Sequence, residues 1–303
     1  MIYQTFHLDH GSRLTAYIQD SQITYGVYKK KPAMIICPGG AYMIHATRES
    51  EPVAIEFMER GFQCFILYYT VGIDREDPGK SINREARYPR QVLQLMEAMH
   101  LIREKAEEWH IDPEQIFVMG FSAGGHVAAS LGVRWQDSKL TTQLSFQPRK
   151  KELKPAGIVL GYPMLRLNRK NFFAEQENKE GEKQTILLHK ILFGREEPTQ
   201  EQKENVDLCK FISPQSAPFF IWNSVDDSVV DSSVALEFIN GCMENQVPCE
   251  YHLFSNGGHG LSLNNVLTLQ EQEQIDPAIS SWKELAVVWM ERRNHERGRL
   301  NHF

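Results

Sequence analysis

Residues Phe117 to Ala129 read "FVMGFSAGGHVAA". A run of apolar residues stops at Gly120, a serine stands between Gly120 and Gly124, and small residues follow. The pattern G-x-S-x-G fits a sharp turn from a strand into a helix, with the serine held in a strained conformation at the end of the strand. Flanking glycines let neighbouring backbone approach where a Cβ would clash. The helix N-terminus that follows favours negative charge. The spelling alone arises by chance in roughly one chain of this length in ten, so the surrounding pattern has to decide between this turn and an ordinary Gly/Ser-rich loop.

Working outward, strand-length apolar runs alternate with helical patterns. "AMIIC" (33–37) reads as a strand stopped by Pro38-Gly39-Gly40, and "EPVAIEFMER" as a helix with Ser50 as N-cap, Pro52 in the first turn and Gly61 at its stop. "FQCFILYY" (62–69) is the next strand, followed by a polar loop over 74–87. A long helix starts near Pro89, because Val92, Leu95, Met96, Met99, Ile102, Ala106 and Trp109 recur at three- and four-residue spacing. "IDPEQ" reads as a turn, "IFVMGF" as a central strand and "AGGHVAASLGVRW" as the helix behind it. "AGIVLGY" (156–162), "PFFIW" (218–222) and "CEYHLF" (249–254) are further strands. "SSVALEFINGCMENQ" and "WKELAVVWMERR" are helices. Residues 136–154 are a polar surface excursion, and residues 165–216 a mostly polar insertion carrying one helical piece, "TILLHKILF". Such alternation predicts one α/β domain over 1–303, a mostly parallel sheet covered by helices on both faces, with 165–216 as a candidate cap or lid.

Composition sets bounds on partners. The chain has 303 residues, 42% hydrophobic and 24% charged, and a formal net charge of -6. That balance argues against nucleic acid as a partner. The basic run at Arg149, Lys150, Lys151 and Lys154 reads as a solvated loop. No segment has the length and apolarity of a membrane span, and the first residues lack a basic region followed by an apolar run. A cytoplasmic protein without membrane contact is expected. The five cysteines show no paired metal spacing and read as buried thiols, so neither a metal nor a disulfide is expected.

A nucleophilic serine needs a base, an acid to orient it and donors for an oxyanion. In a sheet of this kind all of them belong at the carboxyl ends of strands. After "CEYHLF" comes "SNGGHGLSL", whose glycines free the backbone to present His259. His252, within the strand, and His126, in the helix behind Ser122, are less free to reach it. After "PFFIW" comes "NSVDDSVVD", which offers Asp226 or Asp227 as the acid, while Asp231 suits a helix N-cap better. Serine, aspartate, histidine is the chain order of α/β-hydrolases. The turn "CPGGAY" offers inward N–H groups at Gly39 and Gly40, to be joined by that of Ala123.

On these residues the chain resembles the α/β-hydrolase superfamily, and within it the bacterial acetyl esterase and xylan esterase-like proteins of the esterase/lipase group. The resemblance covers most of the chain. It rests on "PGGAY", "RESEPVAIEFMERGFQCFILYY", "IDPEQIFVMGFSAGGHVAAS", "GYPM", "WNSVDDSVV" and "FSNGGHGLSL". It implies an α/β-hydrolase fold and hydrolysis of short carboxylic esters, acetyl esters of sugars among them, with no cofactor. It also implies Asp227 as the acid and Gly40, Ala41 and Ala123 as oxyanion donors. Pro38 stands where relatives often carry the histidine of His-Gly-Gly, which removes a side chain able to brace that loop. Asn223 and Asp231 stand where relatives often have histidine and proline. Tyr42, His45 and Tyr162 lie next to strand ends and are candidate pocket-lining residues, with core packing the competing reading for Tyr162. A peptidase of the prolyl oligopeptidase type and a non-catalytic binding protein are the alternatives. The first lacks preceding propeller-like repeats here, and the second is expected to lose triad members.

Overall fold

Each apolar strand run needs cover on both faces, and the amphipathic helices between strands supply it. The computed structural model describes residues 1–20, 23–24, 27–28, 30–73, 82–167, 179–270 and 275–300. In chain order its elements are β1 (Ile2–His7), β2 (Arg13–Ile18), β3 (Ile23–Thr24), β4 (Val27–Tyr28), β5 (Lys31–Cys37), α1 (Glu51–Glu59), β6 (Gln63–Tyr68), α2 (Arg90–Glu104), β7 (Ile111–Phe121) and α3 (Ser122–Arg134). There follow α4 (Ser138–Thr141), β8 (Ile158–Gly161), α5 (Lys179–Phe193), α6 (Gln200–Asn205), β9 (Phe219–Ser224), α7 (Ser233–Glu244), β10 (Cys249–Phe254), α8 (Pro277–Ser280) and α9 (Trp282–Leu300).

Eight strands form one sheet in the order β1-β2-β6-β5-β7-β8-β9-β10. Strand β2 pairs antiparallel with β1 and β6, and every pair from β6 to β10 is parallel. Alternate residues of one strand feed opposite layers. Met34 and Ile36 pack with α1 and α9, through Val53, Phe57, Trp282 and Met290. Ile35 and Cys37 pack with α2 and α3, through Val92, Met96, Ala123 and Val127. The mostly parallel sheet with helices on both faces is therefore as the sequence predicts.

Three features differ from the sequence reading. The antiparallel pair β1–β2 was not anticipated. Strand β1 is an exposed edge with no continuous apolar run, so its pairing is dictated by β2 rather than by its own pattern. "IDPEQ" does turn, but inside β7: Lys31 pairs with Ile111 and Ala33 with Ile116, so an excursion sits within the strand. Asp112 Oδ1 accepts the Glu114 N–H there, at 3.0 Å. Ser50 stands at the start of α1, yet its hydroxyl donates back to Ala46 O rather than capping the helix. Residues 74–81 of the polar loop, and 168–178 of the insertion, lie outside the described residues. What is described of the insertion packs on the core through Leu188, Ile191 and Leu192 of α5. Among the described residues no helix is long and apolar enough to cross a membrane.

Helix α3 threads this core with every residue buried, and its His126 shows how the layers lock. His126 Nε2 lies 3.0 Å from Val206 O, and Nδ1 lies 2.7 Å from Tyr42 Oη. A carbonyl only accepts, so Nε2 carries the proton and Nδ1 accepts the tyrosine O–H. Desolvation holds the imidazole neutral and lowers its pKa from 6.5 to about 4. The unfolded chain takes up the proton first as pH falls, so this group's contribution is complete above pH 6.5 and is lost towards pH 4. The loss amounts to about 3 kcal/mol. His126→Gln is expected to start less stable at neutral pH and to show a pH dependence smaller by about that amount. Urea denaturation of both proteins at neutral and acid pH checks this, and equal pH dependence in the two would overturn the neutral, buried assignment.

Candidate active site

Strand β7 passes into α3 at Ser122, which adopts φ 51°, a left-handed value rarely taken by a residue with a Cβ. Holding it there costs on the order of 1–3 kcal/mol, so the surroundings must over-determine it. They do so by close approach. A Cβ on Gly124 would lie 2.0 Å from Cys37 O and 2.4 Å from Pro38 O, so the first turn of α3 presses directly on the end of β5. Ser122 is 6% exposed.

His259 arrives on the loop after β10. Its Nε2 lies 2.9 Å from Ser122 Oγ and its Nδ1 lies 2.8 Å from Asp227 Oδ2. The Asp227 side chain is fully shielded from solvent, and its Oδ1 accepts the N–H groups of Val229 and Val230, each at 2.9 Å. The carboxylate accepts from Nδ1–H, which leaves the Nε2 lone pair facing the serine hydroxyl. Asp226, its neighbour, faces elsewhere. It accepts the N–H groups of Gly257 at 3.2 Å and Gly258 at 2.8 Å, shaping the loop that presents His259. The two adjacent carboxylates thus divide, one on the imidazole and one on its loop. Asp231 Oδ1 accepts the Ser233 N–H at the start of α7, from one residue ahead of the N-cap position, which Ser232 holds.

The Pro38–Gly40 turn lies against the serine. Gly39 is so close that a Cβ there would sit 3.0 Å from Ser122 Cβ and 2.6 Å from Glu49 Oε2. The carbonyl of Gly40 accepts from Met43 and Ile44, and that of Gly39 from Ala46. Among the described residues, the N–H groups of Gly40, Ala41 and Ala123 make no backbone hydrogen bond. Two side chains brace this loop. Tyr69 Oη donates to Pro38 O at 2.6 Å, and Glu49 Oε2 accepts the Gly39 N–H at 2.7 Å.

Of the three candidate pocket residues, two are corrected. Tyr42 and Tyr162 are fully buried and their hydroxyls are engaged, Tyr42 with His126 and Tyr162 with Glu49 and the Ser262 N–H. Large rings beside strand ends pack inward here because both sheet faces are covered, so neither lines an open pocket. His45 is half-buried and meets the rings of Tyr68 and Tyr69 edge-on. Sequence reasoning missed Glu49. An acid just before a helix reads as a helix-start residue, and nothing local announces that its partners are Gly39 and Tyr162. Burial pushes its pKa above the ordinary carboxylate value, against the opposing pull of its two donors and of His259.

One cluster with metal-ligand character exists among the described residues: His100, Glu104 and Glu152. The Arg149 guanidinium already lies 2.5 Å from Glu104 Oε1 and 2.9 Å from Glu152 Oε1, so a side-chain cation fills that role. A cavity of about 310 Å³ lined by Arg87, Tyr88, Arg134 and Gln143 is also separate from the serine. Arg134 ends α3, about 18 Å along its axis from Ser122.

Comparison with known proteins agrees with this architecture. Over 254 residues the chain is 29% identical to endo-1,4-beta-xylanase B of Butyrivibrio fibrisolvens, covering 83% of this chain and 35% of that protein. The chain thus spans about a third of the length of that curated relative. The carboxylesterase Cest-2923 of Lactobacillus plantarum superposes with a TM-score of 0.79 at 27% identity, covering 97% of this chain and 98% of that one. An acetyl ester-xyloside bifunctional hydrolase of Caldicellulosiruptor lactoaceticus superposes with a TM-score of 0.70 at 28% identity, over 94% and 89% of the two chains. The BD-FAE family matches residues 22–240, from ahead of β5 into α7. With its parallel sheet and strand-end serine turn, this chain is an α/β hydrolase and belongs to the BD-FAE family.

Proposed function

We propose that this protein is a serine esterase that hydrolyses short-chain carboxylic esters, acetyl esters of sugars among them. The observation that carries the reading is the run of contacts Asp227–His259–Ser122, at 2.8 and 2.9 Å, across three strand ends. Ser122 Oγ attacks the ester carbonyl and its proton passes to His259 Nε2. Asp227 holds the ring in the required tautomer and stabilises the imidazolium. The N–H groups of Gly40, Ala41 and Ala123 donate to the developing oxyanion, where losing one donor typically costs about 2.7–4 kcal/mol. The alcohol leaves with the proton from His259. Water then attacks the acyl-serine, His259 takes its proton, and the carboxylic acid and free Ser122 result. Ester and water balance the reaction.

The names of the relatives support ester chemistry: one is a carboxylesterase and another an acetyl ester-xyloside hydrolase. The preference for short acyl groups has a second support. The insertion over 165–216 carries one apolar helix, α5, and its Leu188, Ile191 and Leu192 are already buried against the core. Among the described residues of that segment no broad apolar face remains for a long acyl chain. A series of p-nitrophenyl esters from acetate to octanoate measures this. kcat/KM is expected to be greatest between acetyl and butyryl, and a maximum at octanoyl would overturn the short-ester reading.

Ser122→Ala is expected to lower turnover of p-nitrophenyl acetate by at least about 10³-fold with the fold retained. Turnover within tenfold of wild type would remove Ser122 as nucleophile. Asp227→Asn is expected to lower kcat by about 10³–10⁴-fold, because the amide holds the wrong tautomer of His259. Asp226→Asn keeps an acceptor for the His259 loop and is expected to stay within about tenfold of wild type. The reverse ranking of the two would move the acid to Asp226.

A further inference from the structure

Glu49 is 2% exposed, in a single 3-10 turn (Thr47–Glu49) ahead of α1. A carboxylate there loses its hydration, a penalty that only well-placed donors offset. A surface acid would serve α1 as well, and an apolar residue would fill the space more cheaply. The position therefore needs a reason beyond helix start and packing, and its partners supply one.

Glu49 Oε2 accepts the Gly39 N–H at 2.7 Å, on the loop that offers the oxyanion donors. Its Oε1 accepts the Tyr162 O–H at 2.7 Å. Tyr162 Oη in turn accepts the Ser262 N–H at 2.8 Å, three residues beyond His259. The Tyr162 ring stands edge-on to the imidazole, with centroids 4.9 Å apart. Ser262 Oγ donates to Arg48 O at 2.6 Å, which returns the circuit to the turn that carries Glu49. One carboxylate thus joins the loops after β5, β8 and β10. Gly39 is the counterpart of this arrangement, since any Cβ there would lie 2.6 Å from the carboxylate oxygen.

We infer that Glu49 is a positioning residue that, through Tyr162, holds the oxyanion loop and the His259 loop in a common register. The inference rests on the reading of Ser122 as nucleophile. The link acts on the transition state, where donors and imidazole must both be aligned with the serine, and bears little on the initial capture of substrate.

Glu49→Gln keeps the volume and can still accept the Gly39 N–H, but its amide NH₂ cannot accept the Tyr162 O–H. Tyr162→Phe removes the same link from the other side, together with the acceptor for Ser262. With p-nitrophenyl acetate, Glu49→Gln is expected to lower kcat about tenfold while KM stays within about twofold. Tyr162→Phe is expected to lower kcat at least as far, and the double variant to match Tyr162→Phe within about twofold, because the two substitutions cut one connection. Should Glu49→Gln fail to fold, Tyr162→Phe reads the same link. A kcat for Glu49→Gln within twofold of wild type, or losses that multiply in the double variant, would overturn the inference. Ser122→Ala separates the two levels. Turnover that survives Ser122→Ala overturns the nucleophile reading and this inference with it. Turnover lost there but untouched in Glu49→Gln overturns this inference alone.

Discussion

Cys37 lies opposite Gly120 in the parallel pair β5–β7, and everything at the sheet's carboxyl edge depends on that register. Parallel neighbours end on the same side, so the turn after β5 and the serine after β7 are delivered to one place. The register is held where α3 starts, because only a glycine at 124 lets its first turn meet the end of β5. Slipping one strand by a residue would reverse which side chains face each helical layer. Two buried layers, one built on Ile35 and Cys37 and the other on Met34 and Ile36, make that slip prohibitive.

On this frame three of the buried polar side chains are held in closed sets. Asp227 is shielded yet has His259, Val229 and Val230 on its two oxygens. Glu49 has Gly39 and Tyr162, and His126 has Tyr42 and Val206. Such sets rigidify a site when every member is satisfied and are costly when one is removed. The left-handed Ser122 is held within these surroundings, which offset the strain of its tight turn.

The sequence made the layers legible because both strand periodicity and helix periodicity are local. Phe117–Phe121, Phe219–Trp222 and the stripe Val92–Ile102 announce themselves within a dozen residues. Ser122, Asp227 and His259 were legible as well, since each follows a readable strand, and the structure brings the three into one line of hydrogen bonds. What escaped was set by distance along the chain. Tyr162 and Glu49 are 113 residues apart, and neither segment carries a sign of the other. Tyr42 sat beside a strand end like a pocket residue, but its hydroxyl turns to His126 within the core. Strand β1 escaped for the opposite reason: its face is solvated, so it shows no apolar pattern to read.

The insertion over 165–216 leaves and rejoins the core through a staple. The Leu208 N–H donates to Leu165 O at 3.0 Å, and both side chains are buried. Two residues before Leu208, Val206 O accepts from His126, so the base of the excursion is stitched to α3 as well as to itself. A loop closed at its base can change length at small entropic cost, about 0.6 kcal/mol for each doubling. By that arithmetic a change of length between the staple's two ends costs the fold little, because the closure at Leu165 and Leu208 does not involve the strand ends beside Ser122 and His259. The seam between the excursion and the sheet runs through Leu165 and Leu208.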